Sequence, residues 1–209
     1  MLGSVTSHGM VEKQLKPRGI SDPSVIAAMQ NVPRHLFCEQ ALARKAYSDC
    51  SLPIGKKQTM SAPFTVAFML QKLMLKPHHR ILDVGTGSGY QAAVLSRICK
   101  SVYSVEKLFT LAARAKRIFD DLGYYNISVK TGNGYYGWKE YAPYDAIIVA
   151  AVAPKVPKHL IEQLTTGGRL IIPLAEESGR QKLYILRKEE SQIIIKELAD
   201  CTFVKFVNY

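Results

Sequence analysis

From Arg80 onward, short apolar runs alternate with longer stretches whose apolar residues recur at helical spacing. The runs Ile81–Val84, Ser101–Val105, Ile127–Lys130, Asp145–Ala150 and Arg169–Pro173 predict strands, the first of them reading as a buried parallel strand. Between them, Gln91–Arg97, Leu108–Leu122 and Val156–Leu164 predict helices. This alternation predicts an α/β fold: a doubly wound, mainly parallel Rossmann-like sheet with helices on both faces. Right-handed crossovers then bring the carboxyl ends of the parallel strands to one edge, where ligands bind in such folds. Gly167-Gly168 predicts a turn into the fifth strand. After it, Lys182–Arg187, Ile193–Leu198 and Thr202–Val207 predict C-terminal antiparallel strands that complete the sheet.

Ahead of Arg80 the pattern changes. Ser24–Gln30, opened by Ser21-Asp22-Pro23, and Pro63–Leu75 carry helical periodicity, whereas Ala46–Gly55 is short, polar and turn-rich and reads as loop. Residues 1–76 are therefore expected to form an N-terminal helical extension with a substrate loop. Residues 77–175 are the expected cofactor-binding core and 176–209 the sheet completion, all within one domain. A chain of 209 residues with 47% hydrophobic content is long and apolar enough for one sizeable core.

The first predicted strand runs straight into chemistry. Ile81-Leu82-Asp83-Val84-Gly85-Thr86-Gly87-Ser88-Gly89-Tyr90 joins an apolar strand to an acid and then to glycines at every second position. Glycines there let the chain turn tightly while its backbone approaches a ligand, and the helix that follows would turn its first N–H groups toward it. The spacing is G-x-G-x-G, one residue short of the G-x-G-x-x-G dinucleotide fingerprint, which disfavours a nicotinamide or flavin cofactor. Glu106, at the end of the next apolar run, is placed to accept hydrogen bonds from both hydroxyls of a ribose. Together these features resemble the class I S-adenosylmethionine-dependent methyltransferases, in which the methionine end of the cofactor lies by the glycine loop. A plain glycine-rich turn is the alternative, and strand, loop, helix and acid in register argue against it.

Composition narrows the partners. The formal net charge of +11 would suit nucleic acid, but the positive residues are spread from Lys13 to Lys205 without a long basic run or interleaved aromatics. Solvated helix faces account for most of that charge, and nucleic acid is not the expected partner. Cys38, Cys50, Cys99 and Cys201 form no C-x-x-C pair, and the histidines have no partner spacing, so no metal site is expected. Scattered cysteines and an amino terminus lacking the apolar core of a signal peptide point to a reduced, cytoplasmic protein. No apolar run approaches the roughly 20 residues that span a bilayer, so no membrane association is expected.

The segment Leu52-Pro53-Ile54-Gly55-Lys56-Lys57-Gln58-Thr59-Met60-Ser61-Ala62-Pro63 supplies the second half of a site. Joined to Arg18-Gly19-Ile20, Val32-Pro33-Arg34, Ala46-Tyr47, the glycine loop through Leu95, Gly137-Trp138 and Ala142-Pro143-Tyr144-Asp145, it resembles the protein-L-isoaspartate O-methyltransferase family over nearly the whole chain. The glycine loop alone points only to a methyltransferase; Gln58-Thr59-Met60-Ser61 carries the narrower likeness. The resemblance implies methyl transfer from S-adenosyl-L-methionine, yielding S-adenosyl-L-homocysteine, to the α-carboxyl of L-isoaspartyl residues in damaged proteins and peptides. The ester would collapse unaided to a succinimide whose hydrolysis restores some aspartate, a repair reaction. A monomer is expected.

By that resemblance Ser61 is the catalytic and substrate-binding residue, holding the acceptor carboxylate by its hydroxyl, with Thr59 helping to hold cofactor and substrate. A carboxylate is already ionised at neutral pH and needs no general base, so Ser61 is not expected to be a nucleophile. Gly85, Thr86, Gly87 and Gly89 are expected along the methionine portion, Asp83 as the brace of the loop, Glu106 on the ribose, and Gly132-Asn133 near the adenine. Without the resemblance, Thr59 and Ser61 read as polar loop residues ahead of a helix. Lys57 stands where the family usually has glycine, Met60 where it has isoleucine, Asn133 where it has aspartate, and Lys205 interrupts a Phe-Val-Pro-Leu type of ending. The altered pocket residues keep open a cofactor-binding module without catalysis, and the high positive charge a related methyltransferase acting on another carboxylate or on RNA.

Overall fold

The computed structural model describes residues 6–206. A short helix α1 (Ser7–Met10), capped by the Thr6 hydroxyl, widens into a π turn over Val11–Leu15. In α2 (Pro23–Asn31), Asp22 caps the N–H groups of Ser24 and Val25, and Pro23 supplies a helical φ at the first position. Next comes a two-stranded hairpin, β1 (Leu52–Gly55) and β2 (Gln58–Met60), followed by α3 (Pro63–Leu73). The remaining elements are β3 (Arg80–Val84), α4 (Tyr90–Ser96), β4 (Ser101–Glu106), α5 (Phe109–Asp121), β5 (Ile127–Thr131), β6 (Tyr144–Val149), α6 (Lys158–Glu162), β7 (Leu164–Ala175), β8 (Gln181–Lys188) and β9 (Ile193–Asp200).

The seven-stranded sheet has the order β5-β4-β3-β6-β7-β8-β9, parallel through β7 and antiparallel beyond it, so the expected doubly wound architecture is the observed one. Alternate residues of each strand feed two cores. Ile81, Ala146 and Ile148 face the N-terminal helices with α4 and α5, whereas Leu82, Val84, Ile147 and Val149 face Trp138, Tyr144 and Leu160. On α5, Leu111, Ala112, Ala115 and Phe119 form one buried stripe at helical spacing. The strand order reverses between β3 and β6, and a crevice at such a switch point is where an open α/β sheet receives its ligand.

Four expectations need correction. Ala46–Gly55 is not all loop: Leu52 and Ile54 point inward and Pro53 and Gly55 outward, and this alternation pairs with β2 across Lys56-Lys57. The Gly167-Gly168 turn is absorbed within β7 as an irregularity opposite β6, with Gly167 left-handed at φ 81°. The helix expected over Val156–Leu164 shrinks to α6, because Pro157 fixes its start and Leu164 already enters β7. Finally, Thr202–Phe206 makes no ladder; the chain leaves the sheet edge and crosses back, with one bridge from Lys205 to Val152. Val207 lies outside the described residues.

Candidate active site

The carboxyl ends of β3, β4 and β6 open into a cleft, closed on one side by β2 and on another by Val204–Phe206. Thr59, Ser61, Gly85, Thr86, Gly87, Glu106 and Asn133 all lie on its wall. Two segments more than twenty residues apart in sequence thus meet at one place, as the pairing of Gln58–Ser61 with the glycine loop requires.

The loop is held from below. Asp83 is fully buried, and its two oxygens accept from Gln91 Nε2 at 2.7 Å and from Ser104 Oγ at 2.6 Å. Ser104 Oγ also pairs with Thr86 Oγ1 at 2.6 Å, so the acid reaches the loop through a serine. Burial pushes the Asp83 carboxyl up to about 6; the Ser104 and Gln91 hydrogen bonds oppose that rise and the charge of Glu106 adds to it. Asp83 is therefore a brace beneath the loop and off the cleft wall.

From above, Glu106 at the end of β4 fastens the same loop. Its Oε2 accepts from Gly87 N at 2.8 Å and its Oε1 from Leu108 N at 2.9 Å, with the residue 7% exposed. The carbonyl of Val105 takes Gly85 N at 2.9 Å. Gly89 sits behind the wall. Its backbone is left-handed at φ 90°, and a Cβ there would lie 2.8 Å from Phe119 Cζ, so this glycine serves the packing of α5 against the loop. Gly132 is likewise off the wall, with its N–H on the Glu106 carbonyl at 2.9 Å. Asn133 is on it, its Oδ1 accepting from Tyr135 N at 3.0 Å and capping the turn Gly134–Tyr136.

On the opposite side, Thr59 is exposed in the middle of β2 and Ser61 half-buried just beyond the strand. Lys57 lies in the hairpin turn, off the wall but one residue from Gln58, which is on it. The carbonyl of Ser61 is fixed by Arg34, whose guanidinium is completely buried. Burial draws the Arg34 pKa down, and the neighbouring Tyr90 opposes that.

Several wall residues escaped the sequence reading. Ala150 and Ala151 follow β6, and the strand-end rule could have marked them; Lys107 and Leu108 follow Glu106 in the same way. Val204, Lys205 and Phe206 carried no such signal, because they arrive by the return of a segment expected to be a strand. The remaining residues weighed in sequence are structural. His35 Nδ1 pairs with the Tyr47 hydroxyl at 2.6 Å, Asp145 accepts from Arg80 N at 2.7 Å, and Trp138 packs with Tyr103 and Tyr141 beneath the second face.

Comparison with known proteins agrees with this geometry. The family model described as protein-L-isoaspartate(D-aspartate) O-methyltransferase matches residues 6–209. A protein-L-isoaspartate O-methyltransferase of Syntrophotalea carbinolica is 48% identical, the match covering 98% of this chain and 94% of that one. Another from Desulfosudis oleivorans is 50% identical, covering 95% and 89%. Among solved structures, one named protein-L-isoaspartate O-methyltransferase superposes with a TM-score of 0.87 at 30% identity, over 96% of this chain and 65% of that one. A Plasmodium falciparum structure named for the same methyltransferase and holding S-adenosyl-L-homocysteine gives 0.85 at 29% identity, over 98% and 99%.

Proposed function

The chain belongs to the protein-L-isoaspartate(D-aspartate) O-methyltransferase family, and we propose that it methylates the α-carboxyl of L-isoaspartyl residues in damaged proteins and peptides, using S-adenosyl-L-methionine. The observation that carries this reading is the shared cleft in which Ser61 and Thr59 oppose the Gly85–Gly87 loop and Glu106.

The residues present suit that cofactor. Each oxygen of Glu106 accepts one backbone N–H and keeps a further lone pair, which is what a ribose diol requires. Val84, Val105 and Leu108 give the same region apolar walls for a flat base, and Asn133 adds an amide at its edge. Gly85, Thr86 and Gly87 would follow the methionine portion, with Asp83, Gly89 and Gly132 acting through the packing and hydrogen bonds already described. When bound, the sulfonium supplies an electrophilic methyl group.

The protein's own contribution is placement. An α-carboxyl with an ordinary pKa of about 3.3 to 3.7 is ionised at neutral pH, so no side chain has to remove a proton. The Ser61 hydroxyl donates to one carboxylate oxygen and leaves the other free to react, with Thr59 beside it. Its fixed backbone keeps that donor in place, which is proximity and orientation catalysis. A monomeric, cytoplasmic enzyme belongs to the same proposal, in keeping with four unpaired cysteines.

The test is incubation with radiolabelled S-adenosyl-L-methionine and an isoaspartyl peptide beside its normal aspartyl twin. Labelling confined to the isoaspartyl peptide is expected. Equal labelling of the two, or none, overturns the reading.

A further inference from the structure

We infer that Lys205 makes this enzyme prefer isoaspartyl sites flanked by an acidic residue, an inference that rests on the function proposed above. After β9 the chain is tied to β8 by Cys201 N on the Gln181 carbonyl at 2.9 Å and Phe203 N on Gln181 Oε1 at 2.7 Å. It then crosses to the end of β6. There Val152 N donates to the Val204 carbonyl and Phe206 N donates to the Val152 carbonyl, both at 2.9 Å. Lys205 is thus clamped on both sides at the cleft wall that also carries Gln58 and Ser61, while Phe203 is buried just before it.

Among the described residues no hydrogen bond or ion pair engages the Lys205 ammonium, and the residue is exposed. Among the described residues Glu106 is the one acid on the wall; it is nearly buried and already accepts two backbone N–H groups. Once Ser61 holds the acceptor carboxylate, the neighbouring residue of the substrate lies only about 3.5 Å further along an extended chain, within range of a long lysine side chain. A Glu or Asp there meets the Lys205 cation, and a Lys or Arg meets repulsion.

This contact is remote from the reacting atoms, so it acts equally on bound substrate and transition state and changes KM with little change in kcat. Because the lysine is exposed, the effect is modest and screened by salt.

The experiment uses isoaspartyl peptides identical except for Glu, Gln or Lys next to the isoaspartate, in one series before it and one after it. In at least one series KM rises from Glu to Gln to Lys, with a spread of roughly 3- to 10-fold at low salt that shrinks at high salt. Each variant is normalised to its own Gln peptide, so a general loss of activity does not count. Lys205→Met collapses the spread and Lys205→Glu reverses it. Flat KM values in both wild-type series, or a spread that survives Lys205→Met, overturn the inference while leaving the isoaspartyl reading intact. Absence of labelling on all isoaspartyl peptides overturns that reading and this inference together.

Discussion

Arg34 Nη2 donates to the Ser61 carbonyl at 2.7 Å from a side chain with no solvent exposure. Its Nε donates to the Ala46 carbonyl at 2.7 Å, its Cζ lies 4.5 Å from the centre of the Tyr90 ring, and its Nη1 has no hydrogen-bond partner among the described residues. One buried guanidinium therefore links the Ser61 segment, the loop before the hairpin and the first residue of α4. A buried cation without a facing carboxylate is costly, and it persists because two inward carbonyls would otherwise lack donors.

Replacing this planar fork by a point charge is the discriminating change. Arg34→Lys cannot reach both carbonyls in one geometry. We expect kcat to fall about tenfold or more with cofactor Kd within about threefold, and stability to fall by about 1–3 kcal/mol for the carbonyl left unpaired. Steady-state kinetics, calorimetry and denaturant titration check the split. Equal losses in kcat and cofactor binding would mean that Arg34 only holds the fold together.

Ser61→Ala removes the proposed donor without touching the wall on the cofactor side. A hydrogen bond to a charged group is worth about 1.5–3 kcal/mol, so turnover should drop roughly 10- to 100-fold. Cofactor affinity, measured by calorimetry, should stay within about twofold. Activity near wild type would strip Ser61 of its role.

Glu106→Gln keeps one acceptor oxygen but turns an N–H donor toward a backbone N–H, at Gly87 or at Leu108. The loop and the ribose site should suffer together. We expect cofactor Kd to rise about 10- to 100-fold while kcat at saturating cofactor changes far less. A Kd unchanged from wild type would exclude Glu106 as a ribose ligand.

How much of this was legible follows from where each contact comes from. Asp83 and Glu106 sit at the ends of strands whose apolar runs are unmistakable, and strand-end position alone brings them to the site edge. Beta hairpins announce themselves through Asn-Gly or Asp-Gly turns, and Lys56-Lys57 hides this one. The part played by Arg34 was invisible because its partners are carbonyl groups, which every residue possesses. Lys205 stood out as a departure from pattern, yet its place on the wall depends on a chain return that no local periodicity encodes.

Asp83 ties stability to pH. Its carboxyl lies near 6 in the folded protein against an ordinary value of 3.8, so the folded state holds the proton more tightly than the unfolded state. The stabilisation is complete below about pH 4, fades as pH rises toward 6, and is gone above it, a change on the order of 3 kcal/mol. Asp83→Asn can keep the network, donating to Ser104 Oγ, which then donates to Thr86 Oγ1, and still accepting from Gln91. The variant should gain on wild type between about pH 4 and 6 and hold a constant advantage at higher pH. Chemical denaturation across pH 4 to 8 checks this; a difference independent of pH would show that Asp83 does not titrate in that window.

The hairpin that carries Gln58–Ser61 turns on Lys56 at φ 52° and Lys57 at φ 57°, two left-handed residues joining Gly55 to Gln58. Positive φ at both central positions is the type I′ geometry, which normally selects Asn-Gly. An L-residue with a Cβ pays about 1–2 kcal/mol in that region, partly offset in a glycine variant by the larger entropy of its unfolded chain. Lys57→Gly should therefore stabilise the protein by about 0.5–1 kcal/mol. Lys57→Val, β-branched where φ is positive, should destabilise it by at least as much. Because the turn sets the register of β2, the strain should show locally as faster amide exchange at Gln58 and Met60 in the valine variant and slower exchange in the glycine variant. Exchange rates insensitive to both substitutions would mean that the hairpin is held by the burial of Leu52, Ile54 and Met60 alone, and that the Lys57 departure has no bearing on the placement of Ser61.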